Sequence, residues 1–111
     1  MELKQYSIVL VDLNQIPKNI GRSEIKKTRP CVILSPDETN KYLRTIVVAP
    51  MTTNLKKYPT RVEVSHNEKE GMIAIDQIRT IDKKRILREF DRLKKSEIAN
   101  CKSLIKETFV D

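Results

Sequence analysis

The stretch EIKKTRPCVILSP, residues 24–36, passes from charged and polar residues into four consecutive apolar ones. A short apolar run bounded by turn residues is typical of a strand buried on both faces. Pro36 cannot donate to a central ladder, so the strand is predicted to occupy residues 31–34. Arg29 and Pro30 stand immediately before it, and the proline restricts the backbone at that point. The sequence therefore predicts a fixed positive charge at the mouth of a buried strand.

Further strands are predicted on both sides of this one, because apolar and alternating segments recur at short intervals. The predicted strands cover residues 7–13, 44–50, 60–65, 72–78 and, with a less regular alternation, 87–93.

Two helical features follow the strands. Asp82 is placed to cap a short helical turn, and Ser96 is predicted to cap a longer C-terminal helix. In that helix Ile98, Cys101 and Ile105 recur at steps of three and four residues, which is the pattern of an amphipathic helix. The chain is therefore predicted to be mainly β with α additions, a small twisted sheet or partly open barrel with a C-terminal helix.

The bulk composition narrows the functional classes. At 111 residues, the chain is predicted to form a single domain over residues 1–111. Twenty-two lysines and arginines against 15 acidic residues give a formal net charge of +7, which suits a polyanionic partner such as nucleic acid or an acidic peptide. No apolar run reaches the roughly 20 residues of a membrane span, and no secretory signal is recognisable, so a cytoplasmic location is expected.

Several kinds of catalytic site are disfavoured by the sequence. His66 is the only histidine and is predicted to be a surface residue in a turn, which argues against histidine-based nucleophilic catalysis. The two cysteines lie far apart and are interpreted as buried apolar residues, and no cluster has the spacing of metal ligands. Only two glycines are present, which excludes the usual nucleotide-binding loops. We therefore expect neither a metal nor a cofactor.

Polar residues at strand ends are the remaining candidates for chemistry. Arg29 precedes one predicted strand, and Thr52 and Thr53 follow the next. The ends of these strands need not coincide, but if the two segments pair at a barrel rim, a guanidinium and a hydroxyl meet over one site. That pair suits a phosphate group, because arginine binds two oxygens at once and the hydroxyl adds a third contact. Taken singly, the same residues also fit a solvated strand entrance and an ordinary turn.

Four segments, GRSEIKKTRPCVILSPDETN, TIVVAPMTT, YPTRVEV and GMIAIDQIRTIDKKRI, resemble the MazF/PemK toxins of bacterial toxin–antitoxin modules in order and spacing. The resemblance implies a small SH3-like barrel of the CcdB/MazF type with a C-terminal helix. It also implies a homodimer that cleaves single-stranded RNA, including mRNA, at short sequence motifs without a metal, and so inhibits translation and growth. The implied inhibitor is a cognate antitoxin whose acidic, disordered segment lies across the dimer.

The resemblance assigns roles to individual residues. Arg29 and Thr52 correspond to the catalytic arginine and threonine, and Glu24 to the acidic residue of the preceding loop. In this chain Arg22 stands between Gly21 and the Ser-Glu pair, where the family usually has glycine directly before it. The residues predicted to bind RNA are Ser23, Lys27, Thr53, Lys56, Lys57 and Gln77.

The chemistry of RNA fits these assignments, because the 2′-hydroxyl is an internal nucleophile. Arg29 is expected to stabilise the charge that develops on the phosphoryl group, and Thr52 to orient the phosphate. Glu24 is the candidate acceptor of the 2′-hydroxyl proton. Two other functions stay open on the sequence: a toxin of the same fold that binds DNA gyrase without nuclease activity, and an RNA-binding barrel without turnover.

Overall fold

The computed structural model describes residues 2–13, 27–56 and 58–110. These residues form seven strands, two helices and two short 3₁₀ turns. In chain order they are β1 (Ser7–Asp12), β2 (Thr28–Ile33), α1 (Asp37–Tyr42), β3 (Thr45–Thr52), β4 (Arg61–His66), β5 (Lys69–Ala74), a 3₁₀ turn (Ile75–Gln77), β6 (Arg79–Asp82), a second 3₁₀ turn (Lys83–Arg85), β7 (Ile86–Arg92) and α2 (Lys95–Phe109).

Within the described residues, the seven strands make one antiparallel sheet in the order β4-β5-β3-β2-β1-β7, with β6 attached to β3. β3 organises the sheet because it pairs with three strands. Its first half, residues 45–48, pairs with β6, whereas its last residues, Met51 and Thr52, pair with β5. Along its other edge it pairs with β2. The sheet curls into a half-barrel around β3, with α2 at the C-terminal end of the chain.

Both faces of the central strands are buried, which explains their nearly continuous apolar sequence. In β2, Val32 packs with Ile73 and Cys101 of α2 on one face, while Cys31 and Ile33 pack on the opposite face. The second face is completed by Val9, Val11, Ile46, Val48 and Ile81. The predicted fold class, mainly β with a C-terminal helix, is thus confirmed.

The prediction of one strand over residues 72–78 was wrong. β5 ends at Ala74, a 3₁₀ turn takes the chain through residues 75–77, and β6 begins at Arg79. The turn moves the chain from the C-terminal half of β3, where β5 pairs, to the N-terminal half, where β6 pairs. The apolar run of residues 72–75, followed by Ile78 and Ile81, gives no sign of this change of partner position.

Helix α1 was also not predicted, because Ser35 and Pro36 were interpreted only as a turn. The helix begins after Pro36 and has Asp37 and Glu38 in its first turn, where acidic side chains complement the helix dipole. Its buried Asn40 donates to the backbone oxygens of Leu3 and Ser35, at 3.0 and 2.9 Å.

The capping of the turn at Asp82 is confirmed, because its Oδ1 accepts from the Lys84 N–H at 2.9 Å.

Helix α2 begins earlier than the prediction of a cap at Ser96. It starts at Lys95, and the capping carboxylate comes from within the first turn, from Glu97. Oε1 of Glu97 accepts from the Lys94 N–H at 2.9 Å, and Oε2 accepts from the Ser65 N–H of β4 at 2.9 Å. Glu97 therefore joins the helix start to an outer strand of the sheet.

We expect Glu97→Ala to lower the free energy of unfolding by about 3 kcal/mol, because two backbone N–H groups lose a charged acceptor at a buried site. Urea denaturation of the purified protein measures this loss. Glu107→Gln, on the exposed side of the same helix, is the matched control and should stay within about 0.5 kcal/mol of the wild type. Equal stability of Glu97→Ala and wild type would show that these hydrogen bonds do not stabilise the helix–sheet contact.

Both cysteines are buried free thiols, as predicted. His66 is the last residue of β4, not part of a turn, and its half-buried ring meets the Phe90 ring edge-on at a centroid distance of 5.0 Å. No helix among the described residues has the length and apolarity needed to span a membrane.

Candidate functional site

The candidate site opens where β2 and β3 stop pairing. Their ladder ends at Cys31 and Pro50, and neither Pro30 nor Pro50 has an N–H to extend it. If the register is continued by two residues on each strand, Arg29 lies opposite Thr52. The two prolines therefore leave a gap in the hydrogen-bonded sheet between Arg29 and Thr52, two of the residues predicted to be catalytic.

This gap leads into a cavity of about 170 Å³. Alternation along β2 and β3 places Arg29 and Thr52 on the same face as the buried Cys31, Ile33 and Val48, at the end of that face. Strand β4 and the first 3₁₀ turn supply the opposite wall. The residues that line the cavity are Arg29, Pro50, Thr52, Asn54, Arg61, Ala74 and Gln77.

The Thr52 side chain is fixed by the loop that follows β3. Its Oγ1 accepts from the Asn54 N–H at 3.1 Å, and Asn54 Oδ1 in turn accepts from the Lys56 N–H at 3.0 Å. Because the Thr52 oxygen acts as an acceptor inside the protein, its own proton remains available for a ligand.

Gly71 of β5 packs closely against the backbone of Thr52. A Cβ atom at this position would lie 3.0 Å from the Thr52 carbonyl oxygen. Any larger residue would therefore push on the backbone that positions the hydroxyl. The chain uses glycine here because β3 and β5 approach each other closely at the edge of the cavity.

Arg29 is held by β2 in register with Val11 of β1. The thiol of Cys31, two residues further along the strand, contacts the Arg29 carbonyl oxygen at 3.6 Å. Burial raises the pKa of Cys31 to about 12, although the charges of Arg79 and Arg29 act to lower it. The thiol therefore stays neutral at physiological pH and does not offset the charge of the Arg29 guanidinium.

Arg61 brings a second guanidinium to the cavity. Its Nε donates to Asp76 Oδ1 at 3.1 Å, and Thr60 Oγ1 donates to the same oxygen at 2.9 Å. The guanidinium also lies over the Tyr58 ring, 5.0 Å from its centroid. Burial alone would raise the pKa of Asp76, but the hydrogen bond from Thr60 and the charge of Arg61 outweigh it and lower the pKa. The ion pair therefore persists below the usual pKa of aspartate.

The turn after β5 separates the roles of two consecutive residues. Asp76 pairs with Arg61 and accepts from the side chains of Thr60 and Arg61. Gln77 lines the cavity beside Arg29 and Thr52. A straight strand through this segment would have sent these neighbouring side chains to opposite faces of the sheet.

The structure brings together three of the predicted site residues, Arg29, Thr52 and Gln77. Lys27 and Thr53 are exposed next to these positions and do not line the cavity. Lys56 is likewise outside it, with its Nζ 5.4 Å from the centroid of the Tyr58 ring. The predictions for Ser23, Glu24 and Lys57 lie outside the described residues.

Sequence reasoning did not identify Arg61 and Asn54. The signal for Arg61 was present: within the alternating segment RVEVS it lies on the face opposite Val62 and Val64, directly after a proline and a threonine. That pattern shows which way the side chain points, but not that the start of β4 comes to lie beside β2 and β3. For Asn54, the only indication in the sequence was that it follows Thr52 by two residues.

The cavity has the chemistry of an anion-binding site. Among the described residues, its lining combines two guanidiniums, one hydroxyl and two side-chain amides, with no carboxylate. Hydrogen-bond donors in this number suit the several oxygens of a phosphodiester. Among the described residues, no group of three histidine, cysteine or acidic side chains is arranged to hold a metal ion.

Comparisons with known proteins agree on one family. The family model described as the PemK-like, MazF-like toxin of type II toxin–antitoxin systems matches residues 4–109. Endoribonuclease MazF from Staphylococcus epidermidis is 34% identical in an alignment 102 residues long, which covers 86% of this chain and 82% of that protein.

Solved structures show the same fold. The toxin MazF-mt6 from Mycobacterium tuberculosis has a TM-score of 0.75 and 23% identity, over 93% of this chain and 95% of its own. A mycobacterial endoribonuclease in complex with its cognate antitoxin has a TM-score of 0.77 and 16% identity, over 94% and 91% of the two chains. At these identities the structures support the fold.

Proposed function

Because the chain belongs to the PemK-like, MazF-like toxin family of type II toxin–antitoxin systems, we propose that it is an endoribonuclease that cleaves single-stranded RNA at short sequence motifs. The main observation behind the proposal is the cavity where the pairing of β2 and β3 ends, which Arg29 and Thr52 both line. The similar protein from Staphylococcus epidermidis carries the name endoribonuclease. Cutting mRNA would inhibit translation and growth.

The proposed reaction uses the nucleophile that RNA provides. The 2′-oxygen attacks the adjacent phosphorus, the bond from phosphorus to the 5′-oxygen breaks, and the products are a 2′,3′-cyclic phosphate and a 5′-hydroxyl. Arg29 donates to the non-bridging oxygens, where negative charge increases in the transition state. Thr52 donates its hydroxyl proton to one of these oxygens and so orients the phosphate.

Two proton transfers accompany this exchange of bonds: one from the 2′-hydroxyl and one to the departing 5′-oxygen. Arginine remains protonated at physiological pH and does not serve as the proton acceptor. Glu24 is proposed as the acceptor on the basis of the family resemblance. Gln77 is proposed to contact the RNA, because its amide offers both a donor and an acceptor at the cavity wall.

The proposed partners follow from charge and family. The net charge of +7 favours an acidic antitoxin segment as well as RNA, and the mycobacterial relative was solved with its cognate antitoxin.

A homodimer is proposed too, and large exposed apolar side chains support it. These are Tyr42, Leu43, Leu87, Phe109 and Val110. The cytoplasm, where mRNA is translated, is the proposed site of action.

The proposal is tested by incubating the purified protein with a long single-stranded RNA in excess EDTA and mapping the new 5′ ends. We expect cuts at a recurring short motif, each leaving a 5′-hydroxyl and a 2′,3′-cyclic phosphate. RNA that stays intact under these conditions would refute metal-independent cleavage. RNA that is bound but not cut would favour the RNA-binding barrel without turnover.

A further inference from the structure

We infer that Arg61 is a second phosphate-binding residue of this cavity, which holds a phosphodiester of the RNA next to the one held by Arg29. The inference rests on the proposed function, because it takes single-stranded RNA as the ligand. Arg61 is the first residue of β4 and lies on the wall opposite β2. The observation that carries the inference is the way this side chain is held in place before any ligand binds.

Two contacts position the guanidinium of Arg61, and a third fixes its carboxylate partner. Nε donates to Asp76 Oδ1, the ring of Tyr58 lies against it, and Thr60 holds the same carboxylate oxygen from the other side. Only 12% of the Arg61 side chain is exposed, compared with 38% for Asp76. An arginine fixed in this way loses little further side-chain freedom when it binds a ligand.

Within the described part of the chain, the ion pair engages the guanidinium through Nε. Asp76 takes the Nε proton, so the two terminal amino groups are outside this hydrogen bond. Asp76 is not part of the cavity lining, whereas Arg61 is. The negative charge therefore lies behind the guanidinium, and the amino groups form a fork of the kind that binds phosphate oxygens.

The composition of the cavity favours a phosphate over a base as the group that Arg61 contacts. None of the described residues that line the cavity has an aromatic side chain on which a base could stack, because Tyr58, which contacts Arg61, is outside the lining. Sequence-specific binding of single-stranded RNA commonly uses such stacking. Two guanidiniums in one small cavity are instead matched to the charges of neighbouring phosphates along the strand.

The test measures the binding of a 2′-O-methyl oligoribonucleotide, which lacks the nucleophile and is not cleaved, at several salt concentrations. We expect Arg61→Gln to bind about tenfold more weakly at low salt. We also expect the slope of log K against log salt concentration to fall in magnitude by about 0.7, the value for one lost phosphate contact on a single strand. Thermal melting of each variant establishes that it is folded.

Arg88→Gln is the matched control, because Arg88 also lies over an aromatic ring, that of Phe90, but belongs to β7 and is outside the cavity. It should keep the wild-type slope. Arg61→Lys retains the charge and should keep the slope, with weaker binding because the fork is lost.

The outcomes separate this inference from the proposed function. If the wild type cleaves RNA and Arg61→Gln keeps its salt slope, the inference is wrong while the nuclease function stands. A changed cleavage motif with an unchanged slope would make Arg61 a reader of bases and would also overturn the inference. A wild type that neither binds nor cleaves RNA refutes the proposed function itself.

Discussion

The Arg29→Gln variant is expected to cleave RNA roughly 10³-fold more slowly than the wild type, in line with the effect of an arginine that stabilises a transferring phosphoryl group. Arg29 is the guanidinium at the gap between β2 and β3. Glutamine has similar length and can still donate a hydrogen bond, but it carries no charge. The loss of cleavage rate therefore measures the contribution of the positive charge of Arg29, which lies where negative charge develops on the phosphoryl group.

Single-turnover rates at saturating enzyme measure this effect separately from RNA binding. We expect most of the loss in the rate of the chemical step and less in affinity, because the interaction strengthens in the transition state. Arg29→Lys should recover only part of the rate, since a single ammonium does not bind two oxygens in a fixed geometry. Arg44→Gln, on the exposed segment before β3, is the control and should cleave at the wild-type rate. Wild-type cleavage by Arg29→Gln would exclude a role for this charge in catalysis.

The sheet was largely predictable because strands buried on both faces have an almost continuously apolar sequence. In Cys31, Val32 and Ile33 every side chain meets a hydrophobic cluster, so the apolar run marks the strand directly. The segment from Met72 to Ile75 is just as apolar, yet the chain leaves the strand after Ala74 and turns. Its apolar residues are buried in the turn as they would be in a strand, and periodicity alone does not distinguish the two.

The candidate site was predictable only in part, because some of its residues meet through local strand register and others through the curl of the whole sheet. Arg29 and Thr52 belong to neighbouring strands of an antiparallel pair, and their meeting depends only on the local register near Cys31 and Pro50. Arg61 reaches the same cavity through β4 and β5, which join β3 beyond the point where β2 leaves it. That arrangement depends on the curl of the whole sheet, which the segment YPTRVEV does not encode by itself.

The Thr52→Val variant is expected to cleave RNA roughly 10²-fold more slowly than the wild type, the order of effect seen when one hydrogen-bond donor to a developing anion is removed. Valine keeps the shape of threonine and its preference for a strand, so β3 should pair with β5 as before. The substitution also removes the acceptor for the Asn54 N–H, so part of the loss can come from the loop and not from the phosphate.

Two further variants assign that loss to its cause. Thr52→Ser keeps the hydroxyl for both hydrogen bonds and should retain most of the activity. Thr45→Val makes the same chemical change at the exposed opposite end of β3 and should cleave like the wild type. If serine is as poor as valine, the methyl group of Thr52 and its packing matter more than the hydroxyl. Because a Cβ at Gly71 would lie 3.0 Å from the Thr52 carbonyl oxygen, Gly71→Ala should displace the Thr52 backbone and slow cleavage without removing any donor. Its effect would show that the position of the hydroxyl, as well as its presence, sets the rate.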